Sequence, residues 1–517
     1  MEQMNQLVDS DQNFWVMTLL IIFFAISLLI GIIPSRKASK GFLSFMIADK
    51  SLPWWAIGGT LYATFAGTAT LLGWVGSSAR IGMTSMWQTL CHGASFMMLA
   101  LFLVPILIRM KRVTLAEPIG ERFDNSVRKI TSGLSFFRMV GSVASQIIGI
   151  GVILSMFTEL DLTGGIIASA IILVIYVSLG GMYGVAYADT FQGLIMFAFV
   201  VFAPFYILNH IGGGSLFAGI NMLVEKLPHS HRSISNGSTN QIMGWIVVMT
   251  ASNLLRPELF GRIFAARSAK EGILTWVTVT NMIILTMCCV TLLGLIAKVT
   301  VPEFSGTQDQ YGPALFRAID KPWLTVFYVL GVVAAAVSTA SSSMLGSSSH
   351  YVTDFHLPIF YKDNPPTAHK LVWLSRLAVI FFTALACWWA LAWKDIIAVF
   401  QFGYTVLVGG VLIPYLGMFF WPRMTTSAAK WSAIIGGGTA IFWKFFLQPY
   451  NLLPWSGVVD LDPSIPSLLL SIGVAIAVSY CGKPEYEKVY KFAKAYDLKK
   501  MVSWAENGMA RENPENR

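Results

Sequence analysis

Five hydroxyl side chains lie close together in one apolar stretch of the sequence, residues 331–355. They belong to Ser338, Thr339, Ser341, Ser342 and Ser343. A hydroxyl in hydrocarbon needs a partner, which another helix, a backbone carbonyl or an ion can supply. At roughly 100° per residue, Ser338, Thr339 and Ser342 share one helix face with Ala335. Uncharged oxygens in this arrangement suit a monovalent cation, and close helix packing through small residues is the alternative.

The apolar stretch at residues 53–78 is rich in glycine. It contains Gly58, Gly59, Gly67, Gly73 and Gly76 among threonine and alanine residues. Such a stretch favours a helix that is broken near the middle of a membrane, where free carbonyls can coordinate a cation. A glycine-rich packing face is the alternative.

An acidic residue follows a glycine pair in the segment GGMYGVAYADTFQG, residues 180–193. We expect Gly180 and Gly181 to form a tight turn and Asp189 to enter the helix that follows. Near the membrane edge, the carboxylate can cap that helix. Deeper in the membrane, it indicates an ion path.

Two charged residues flank a proline in SNLLRPELFGR, residues 252–262. Pro257 is expected to interrupt the helix, and Arg256 and Glu258 would then lie beside the break. Charges inside a membrane are costly unless they are paired or functional. Arg256 can clamp a carboxylate through two parallel hydrogen bonds, with Glu258 meeting an amino group. The alternative is an internal Arg256–Glu258 ion pair or gate.

The composition predicts an all-α, multi-pass membrane protein. Only 12% of the 517 residues are charged and 55% are hydrophobic, whereas soluble domains are about 25% charged. Apolar stretches of about 20 residues recur along the chain. We predict about thirteen spans, at residues 14–34, 53–78, 83–108, 130–157, 163–180, 187–212, 241–261, 272–299, 322–349, 370–393, 395–422, 428–449 and 465–482. Residues 1–482 would form a single transmembrane domain, with exposed loops near 213–240 and 300–321.

The placement of basic residues predicts the orientation. Loops after odd-numbered spans, together with the tail, hold 25 of the 36 Lys and Arg residues. Loops after even-numbered spans hold 8, and 3 lie within spans. The positive-inside rule places the N-terminus outside and the C-terminus in the cytoplasm of a plasma or bacterial inner membrane. The basic tail, residues 483–517, is expected to lie on anionic lipid rather than to bind nucleic acid.

The glycine-pair segment, the glycine-rich second span, GRIFAARSAKE at residues 261–271 and the serine-rich ninth span resemble the sodium:solute symporter family in order and spacing. The resemblance covers residues 14–482. It implies a LeuT-type core of two inverted five-helix repeats, at residues 53–212 and 241–422. An extra N-terminal helix at 14–34 and extra C-terminal helices within 428–482 would flank this core. The implied function is Na⁺-coupled symport of a small organic solute by alternating access.

The resemblance also implies which residues bind sodium. The main site would use the carbonyls of Ala63, Ala66 and Ala335 and the hydroxyls of Ser338 and Thr339. Some family members, including sialic acid transporters, place a second Na⁺ at positions that match Asp189, Ser341 and Ser342 here. At the main site, the five neutral oxygens would balance the single charge of Na⁺ through their dipoles.

The solute cavity of the family lies among spans two, three, seven and eleven. The matching candidates here are Arg256, Glu258, Gln88, His92, Gln401 and Tyr404. Relatives usually have neutral residues where this chain has Arg256 and Glu258. This difference favours a carboxylate-bearing solute, such as an amino acid or organic anion, over a sugar. His92 can instead be a hydrogen-bonded structural residue. Arg138 can either extend to the membrane surface or pair with a carboxylate.

Other functional classes are less compatible with the sequence. No phosphate-binding loop with a Lys-Ser/Thr ending is present, and no nucleophile–base or metal constellation indicates an enzyme. A membrane sensor that binds solute and sodium without transport remains an alternative, as does a sodium-independent facilitator. We expect the lipid bilayer, Na⁺ and a small solute to be the partners and a monomer to be sufficient for transport.

Overall fold

The computed structural model describes residues 10–38, 52–110, 112–236, 239–302, 304–361, 366–450 and 461–512. These residues form helices, and no strand is found among them. The α-helices, numbered in chain order, are α1 (Ser10–Ala38), α2 (Trp54–Phe65), α3 (Val75–Ile81), α4 (Met86–Met98), α5 (Val104–Met110), α6 (Ala116–Arg122), α7 (Asn125–Phe157), α8 (Leu162–Ile211), α9 (Leu216–Lys226), α10 (Thr239–Ser252), α11 (Pro257–Ala265), α12 (Ala269–Thr300), α13 (Tyr311–Ala318), α14 (Pro322–His350), α15 (Leu357–Phe360), α16 (Ala368–Trp393), α17 (Ile396–Phe420), α18 (Thr426–Phe442), α19 (Gln448–Tyr450), α20 (Ser464–Cys481), α21 (Tyr486–Ala495) and α22 (Lys499–Glu512).

Several of these helices continue into short segments of other helical types. Turns of π-helix cover Ala69–Trp74, Leu99–Leu103, Tyr351–His356 and Trp443–Leu447, and turns of 3₁₀-helix cover Gly82–Ser85, His229–Arg232 and Gln308–Gln310. Within the described residues, eight helices are long and apolar enough to cross a membrane, and Trp15–Ser27 and Leu162–Ser178 are shorter apolar helices. The all-α membrane fold is therefore confirmed, and the number of thirteen spans stays a prediction.

The serine-rich helix α14 lies at the centre of the molecule. It packs against α7, α8 and α2, and 94% of its most apolar window is buried inside the protein. By contrast, 44% of the corresponding window of α16 is buried. The hydroxyls of α14 therefore face neighbouring helices and not lipid.

The two breaks that the sequence predicts are present. The second span is interrupted between Phe65, where α2 ends, and Ala69, where the next helical segment begins. The seventh span is divided into α10 and α11, and Pro257 is the first residue of α11. Proline at this position loses no hydrogen bond, because the first N–H groups of a helix have no partner within it.

The predicted turn at the Gly180–Gly181 pair is wrong. The backbone remains helical from Leu162 to Ile211, through both glycines. Glycine costs about 1 kcal/mol in a helix interior but does not by itself remove a backbone hydrogen bond, so the helix can continue.

The predicted loops and the tail also contain helices. The segment near 213–240 includes α9, and that near 300–321 includes α13. The tail forms α21 and α22, which pack against each other through Val489 and Met501. This hairpin contacts the rest of the protein, where the Tyr496 hydroxyl accepts a hydrogen bond from Arg112 at 3.1 Å. The expected contact of the tail with anionic lipid stays a prediction.

Candidate functional site

The break in the second span brings its backbone against α14. The Ser338 hydroxyl donates to the Ala63 carbonyl at 2.8 Å and lies 3.1 Å from the Ala335 carbonyl. Thr339 Oγ1 lies 3.4 Å from the Ala63 carbonyl. Ala66 is the residue at which the helix breaks, and it is buried. The structure thus brings together four of the five predicted sodium ligands and places Ala66 at the adjoining break.

A glycine and a glutamine hold this break in place. A Cβ atom at Gly67 would lie 2.9 Å from Thr339 Oγ1 and 2.8 Å from Gln146 Oε1, so only glycine fits here without displacement. Gln146 Oε1 also accepts a hydrogen bond from the Thr68 backbone N–H at 2.8 Å. Gln146 therefore satisfies a backbone donor that the break leaves without a helical partner.

The residues predicted for a second sodium surround an arginine. Ser342 Oγ accepts a hydrogen bond from the Arg262 guanidinium. The same guanidinium lies 3.5 Å from Asp189 Oδ2 and donates to the Thr60 hydroxyl at 3.0 Å. Ser341 instead donates to the Ser338 carbonyl at 3.0 Å. A protein cation therefore contacts two of the three groups that we predict to bind a second Na⁺.

The predicted seventh span ends at residue 261, which places Arg262 among the basic residues of the following loop, and this placement is wrong. Arg262 lies in α11 and is 2% exposed. Its guanidinium also donates to the Glu258 carbonyl at 2.6 Å, one helical turn earlier. The apolar sequence around Arg262 and its spacing from Glu258 are the signals that could have identified this buried position.

Two further arginines, Arg138 and Arg256, share the carboxylate of Glu258. Glu258 Oε1 accepts hydrogen bonds from Arg256 Nε and from an Arg138 terminal nitrogen, both at 3.0 Å. All three side chains are buried. The internal Arg256–Glu258 pair is therefore present. Of the two alternatives for Arg138, the structure shows the pairing with a carboxylate and not the extension to the membrane surface. The Arg138 guanidinium also stacks on the Tyr404 ring, 3.7 Å from its centroid.

The buried charges in this region do not balance. The cluster contains the cations Arg138, Arg256 and Arg262 and the anions Asp189 and Glu258. Three positive and two negative charges leave an excess of one positive charge. In addition, Nε and one terminal nitrogen of Arg138 have no hydrogen-bond acceptor in the described part of the chain. Buried donors without acceptors are costly, so this geometry suits an anionic ligand.

One carbonyl connects the sodium-site residues with the charge cluster. The Thr64 carbonyl accepts a hydrogen bond from the Thr339 hydroxyl at 3.1 Å and another from Arg256 at 3.2 Å. A movement of the broken second span would therefore displace the sodium-site residues and the charge cluster together.

Comparison of the sequence with known protein families identifies the family of this chain. The model of the sodium:solute symporter family matches residues 45–436, which is most of the chain. The chain belongs to the sodium:solute symporter family. This symporter is a multi-pass membrane transporter that couples solute transport to Na⁺, and it is not an enzyme.

Individual relatives are similar along most of their length. A sodium/glucose cotransporter of Vibrio parahaemolyticus is 26% identical over 460 residues, which cover 82% of this chain and 84% of the relative. The high-affinity proline transporter PutP of Bacillus subtilis is 27% identical over 447 residues, covering 80% and 89%. A Na⁺-coupled sialic acid symporter of known structure has a TM-score of 0.76 at 18% identity, covering 92% and 98%. The structural match confirms the LeuT-type fold.

The remaining predicted solute residues lie at different distances from the charge cluster of this symporter. His92 is buried, with Nδ1 2.8 Å from the Gln88 carbonyl and its ring 5.4 Å from that of Phe65. The Phe65 ring in turn lies 5.8 Å from the Arg256 guanidinium. Gln88 is buried, whereas Gln401 is half-buried and contributes its backbone carbonyl to Thr405. Tyr404 therefore contacts the charge cluster directly, whereas His92 is connected to the cluster only through the Phe65 ring.

Proposed function

We propose that this symporter transports a carboxylate-bearing solute, such as an amino acid or an organic anion, together with Na⁺. The excess positive charge of the cluster and the unpaired donors of Arg138 support this solute class. A carboxylate placed between Arg138 and Arg256 would neutralise the excess charge and satisfy those donors. A neutral sugar would leave the charge uncompensated. One relative is named for glucose, a neutral sugar, and another for proline, which carries a carboxylate. The relatives therefore favour neither solute class, and the proposal rests on the charges of this chain.

The main sodium site is proposed at the carbonyls of Ala63, Ala66 and Ala335 and the hydroxyls of Ser338 and Thr339. Its five neutral oxygens would be supplied by two structural elements, the broken second span and α14. Sodium binding would hold these elements together and fix the position of the Thr64 carbonyl. Because Arg256 donates to that carbonyl, sodium would also orient Arg256 for the solute. This shared carbonyl is the observation on which the proposed coupling depends.

A second sodium site at Asp189, Ser341 and Ser342 is proposed only for a conformation in which Arg262 has moved away. In the conformation described, the guanidinium contacts Asp189 and Ser342 and supplies the positive charge itself. We therefore expect the main site to fill first.

We propose that the protein lies in a plasma or bacterial inner membrane with its N-terminus outside and its C-terminus in the cytoplasm. The distribution of Lys and Arg in the sequence supports this orientation. Sodium and solute would bind from outside, and movement of the helix bundle would then expose both to the cytoplasm. The end of α14 at His350 would face the cytoplasmic side.

A thermal-shift screen with and without Na⁺ tests the solute class. The purified symporter is heated with amino acids, organic acids, sugars and vitamins, with choline replacing Na⁺ in the control. At 100 times its dissociation constant, a ligand adds about 2.7 kcal/mol of stability, enough for a measurable rise in the midpoint. We expect carboxylates to stabilise the protein in Na⁺ and the Arg256→Gln variant to lose this response. Stabilisation by neutral sugars but not by carboxylates would contradict the proposal.

A further inference from the structure

A groove between α17 and α20 faces the membrane. Only 28% of the most apolar window of α20 is buried inside the protein, so most of this helix is in contact with lipid. The groove has a volume of about 570 Å³, and none of its wall residues is charged. They are Ile413, Leu416, Gly417, Phe420 and Trp421 on the side of α17, and Ile472, Ile476 and Tyr480 on α20. Along α20 the wall extends for about 12 Å.

One end of this groove carries positive charge. Arg423 lies just beyond the end of α17, and one of its terminal nitrogens donates to the Gly482 carbonyl, just beyond the end of α20, at 2.8 Å. The Arg423 guanidinium also lies 5.6 Å from the centre of the Tyr480 ring, which belongs to the groove wall. Lys483 follows Gly482 and is exposed. Both helices therefore end at a pair of basic side chains.

The charge of Arg423 is not compensated by the protein. Within the described ranges, Arg423 forms no ion pair. Glu485 is the nearby carboxylate in the sequence, and it accepts a hydrogen bond from the Thr426 hydroxyl at 2.7 Å and pairs with Lys488 at 3.5 Å. A second guanidinium, that of Arg122, binds the carbonyls on either side of Arg423 at 3.2 Å and 3.0 Å. The region therefore has a positive potential that favours an anion.

An apolar groove that ends at uncompensated cations matches the chemistry of an anionic phospholipid. An acyl chain fits the groove, and a phosphate fits a guanidinium. In the proposed orientation, this end lies at the cytoplasmic leaflet, where anionic lipids attract basic side chains. A zwitterionic lipid carries its own cation beside the phosphate and would gain less from Arg423. Free phosphate has no group for the groove.

We propose that the groove between α17 and α20 binds one anionic phospholipid, with an acyl chain against Ile476 and the phosphate at Arg423. The proposed orientation is used only to assign the leaflet, and the inference is independent of the solute class and of the sodium site. The bound lipid would fill the space between α17 and α20 and join the ends of both helices through Arg423.

Native mass spectrometry of the purified symporter tests this site. The protein is released from detergent after titration with dioleoyl phosphatidylglycerol or with dioleoyl phosphatidylcholine, and the dissociation constant of the first bound lipid is measured. We expect phosphatidylglycerol to bind about fivefold more tightly, since one basic residue near the surface contributes about that factor. Arg423→Gln should remove this preference and leave phosphatidylcholine binding unchanged. Glycerol 1-phosphate, which lacks acyl chains, should not compete.

Two pairs of variants separate the charge from the groove. Arg109→Gln is the control for Arg423→Gln, because Arg109 ends α5 and is not a wall residue. Ile476→Trp narrows the groove and should weaken both lipids alike by about fivefold or more. Its control is Leu470→Trp on the same helix, since Leu470 is 49% exposed, Ile476 is 46% exposed, and Leu470 lies outside the wall. Both controls should bind both lipids as the unmodified protein does.

Three results would overturn the site. The first is equal affinity for the two lipids, and the second is a preference for phosphatidylglycerol that Arg423→Gln leaves intact. The third is lipid binding that Ile476→Trp does not weaken or that glycerol 1-phosphate displaces. Because Ile476 lies on the exposed face of α20, its variant tests the groove even if Arg423→Gln does not fold. The outcome leaves the proposed solute class and sodium site unaffected.

Discussion

Glu258 is the negative charge on which the buried arginine cluster depends most directly. Its Oε1 atom is 3.0 Å from both Arg138 and Arg256, and all three side chains are buried. The Glu258→Gln substitution retains the size and an acceptor oxygen but removes the charge. The excess charge of the cluster would rise from one positive charge to two. We predict that this variant is markedly less stable than the unmodified protein.

The expected magnitude follows from the energetics of buried ion pairs. Removal of one partner from such a pair costs about 3–5 kcal/mol, because the remaining charge is left uncompensated. With an unfolding entropy of about 2.1 cal/mol/K per residue, a chain of 517 residues would lose roughly 3–5 °C in its thermal midpoint. The midpoint is measured on purified protein in detergent, without solute.

A matched control separates the effect of burial from that of the substitution itself. Glu487 forms an ion pair with Lys491 at 2.6 Å, but both side chains are 74% exposed. Because solvent screens exposed pairs, Glu487→Gln should leave the midpoint unchanged.

A compensating substitution tests the charge argument. The Arg256→Gln/Glu258→Gln variant restores the original net charge of the cluster and should recover a substantial part of the lost stability. A Glu258→Gln midpoint indistinguishable from that of the unmodified protein would refute the reasoning. A double variant that is less stable than Glu258→Gln alone would also refute it.

Two further predictions concern the sodium site and the loop between α12 and α14. Ser338→Ala/Thr339→Ala removes two proposed sodium ligands and should raise the sodium KM for transport by about tenfold or more, and an unchanged sodium KM would count against the site. Asp309 lies between α12 and α14 in the 3₁₀-helix Gln308–Gln310, and burial, together with the nearby Asp395, raises its pKa from 3.8 to about 7. Because the folded state binds this proton more tightly than the unfolded state does, stability should fall by up to about 4 kcal/mol as the pH rises from 4 to 8. Asp309→Asn should flatten this dependence of the thermal midpoint on pH, and an equally steep profile in the variant would disprove the assignment.

The sequence predicted those features that arise from local chemistry. Glycine and proline act on the backbone at their own positions, so the breaks beside Gly67 and Pro257 could be anticipated. The shared face of Ser338 and Thr339 follows from helical periodicity alone. The glycine pair at 180 and 181 shows the limit of this reasoning, because glycine permits a turn without requiring one.

The contacts that the sequence did not reveal join residues that are distant in the chain. Arg138 and Glu258 are 120 positions apart, and Thr60 lies 202 positions before Arg262. Helical periodicity gives the direction of each side chain on its own helix but not the neighbouring helix that it meets. These contacts therefore depend on how the helices pack and do not follow from the sequence of any one helix.

Transport in proteoliposomes tests the central claim most directly. The symporter is reconstituted, and uptake of the carboxylate that gives the largest thermal shift is measured with an inward Na⁺ gradient or with choline in its place. We predict accumulation above equilibrium only with the Na⁺ gradient, and loss of this accumulation in the Ser338→Ala/Thr339→Ala variant. Equal accumulation in choline, or sodium-driven accumulation of neutral sugars but of no carboxylate, would contradict the account.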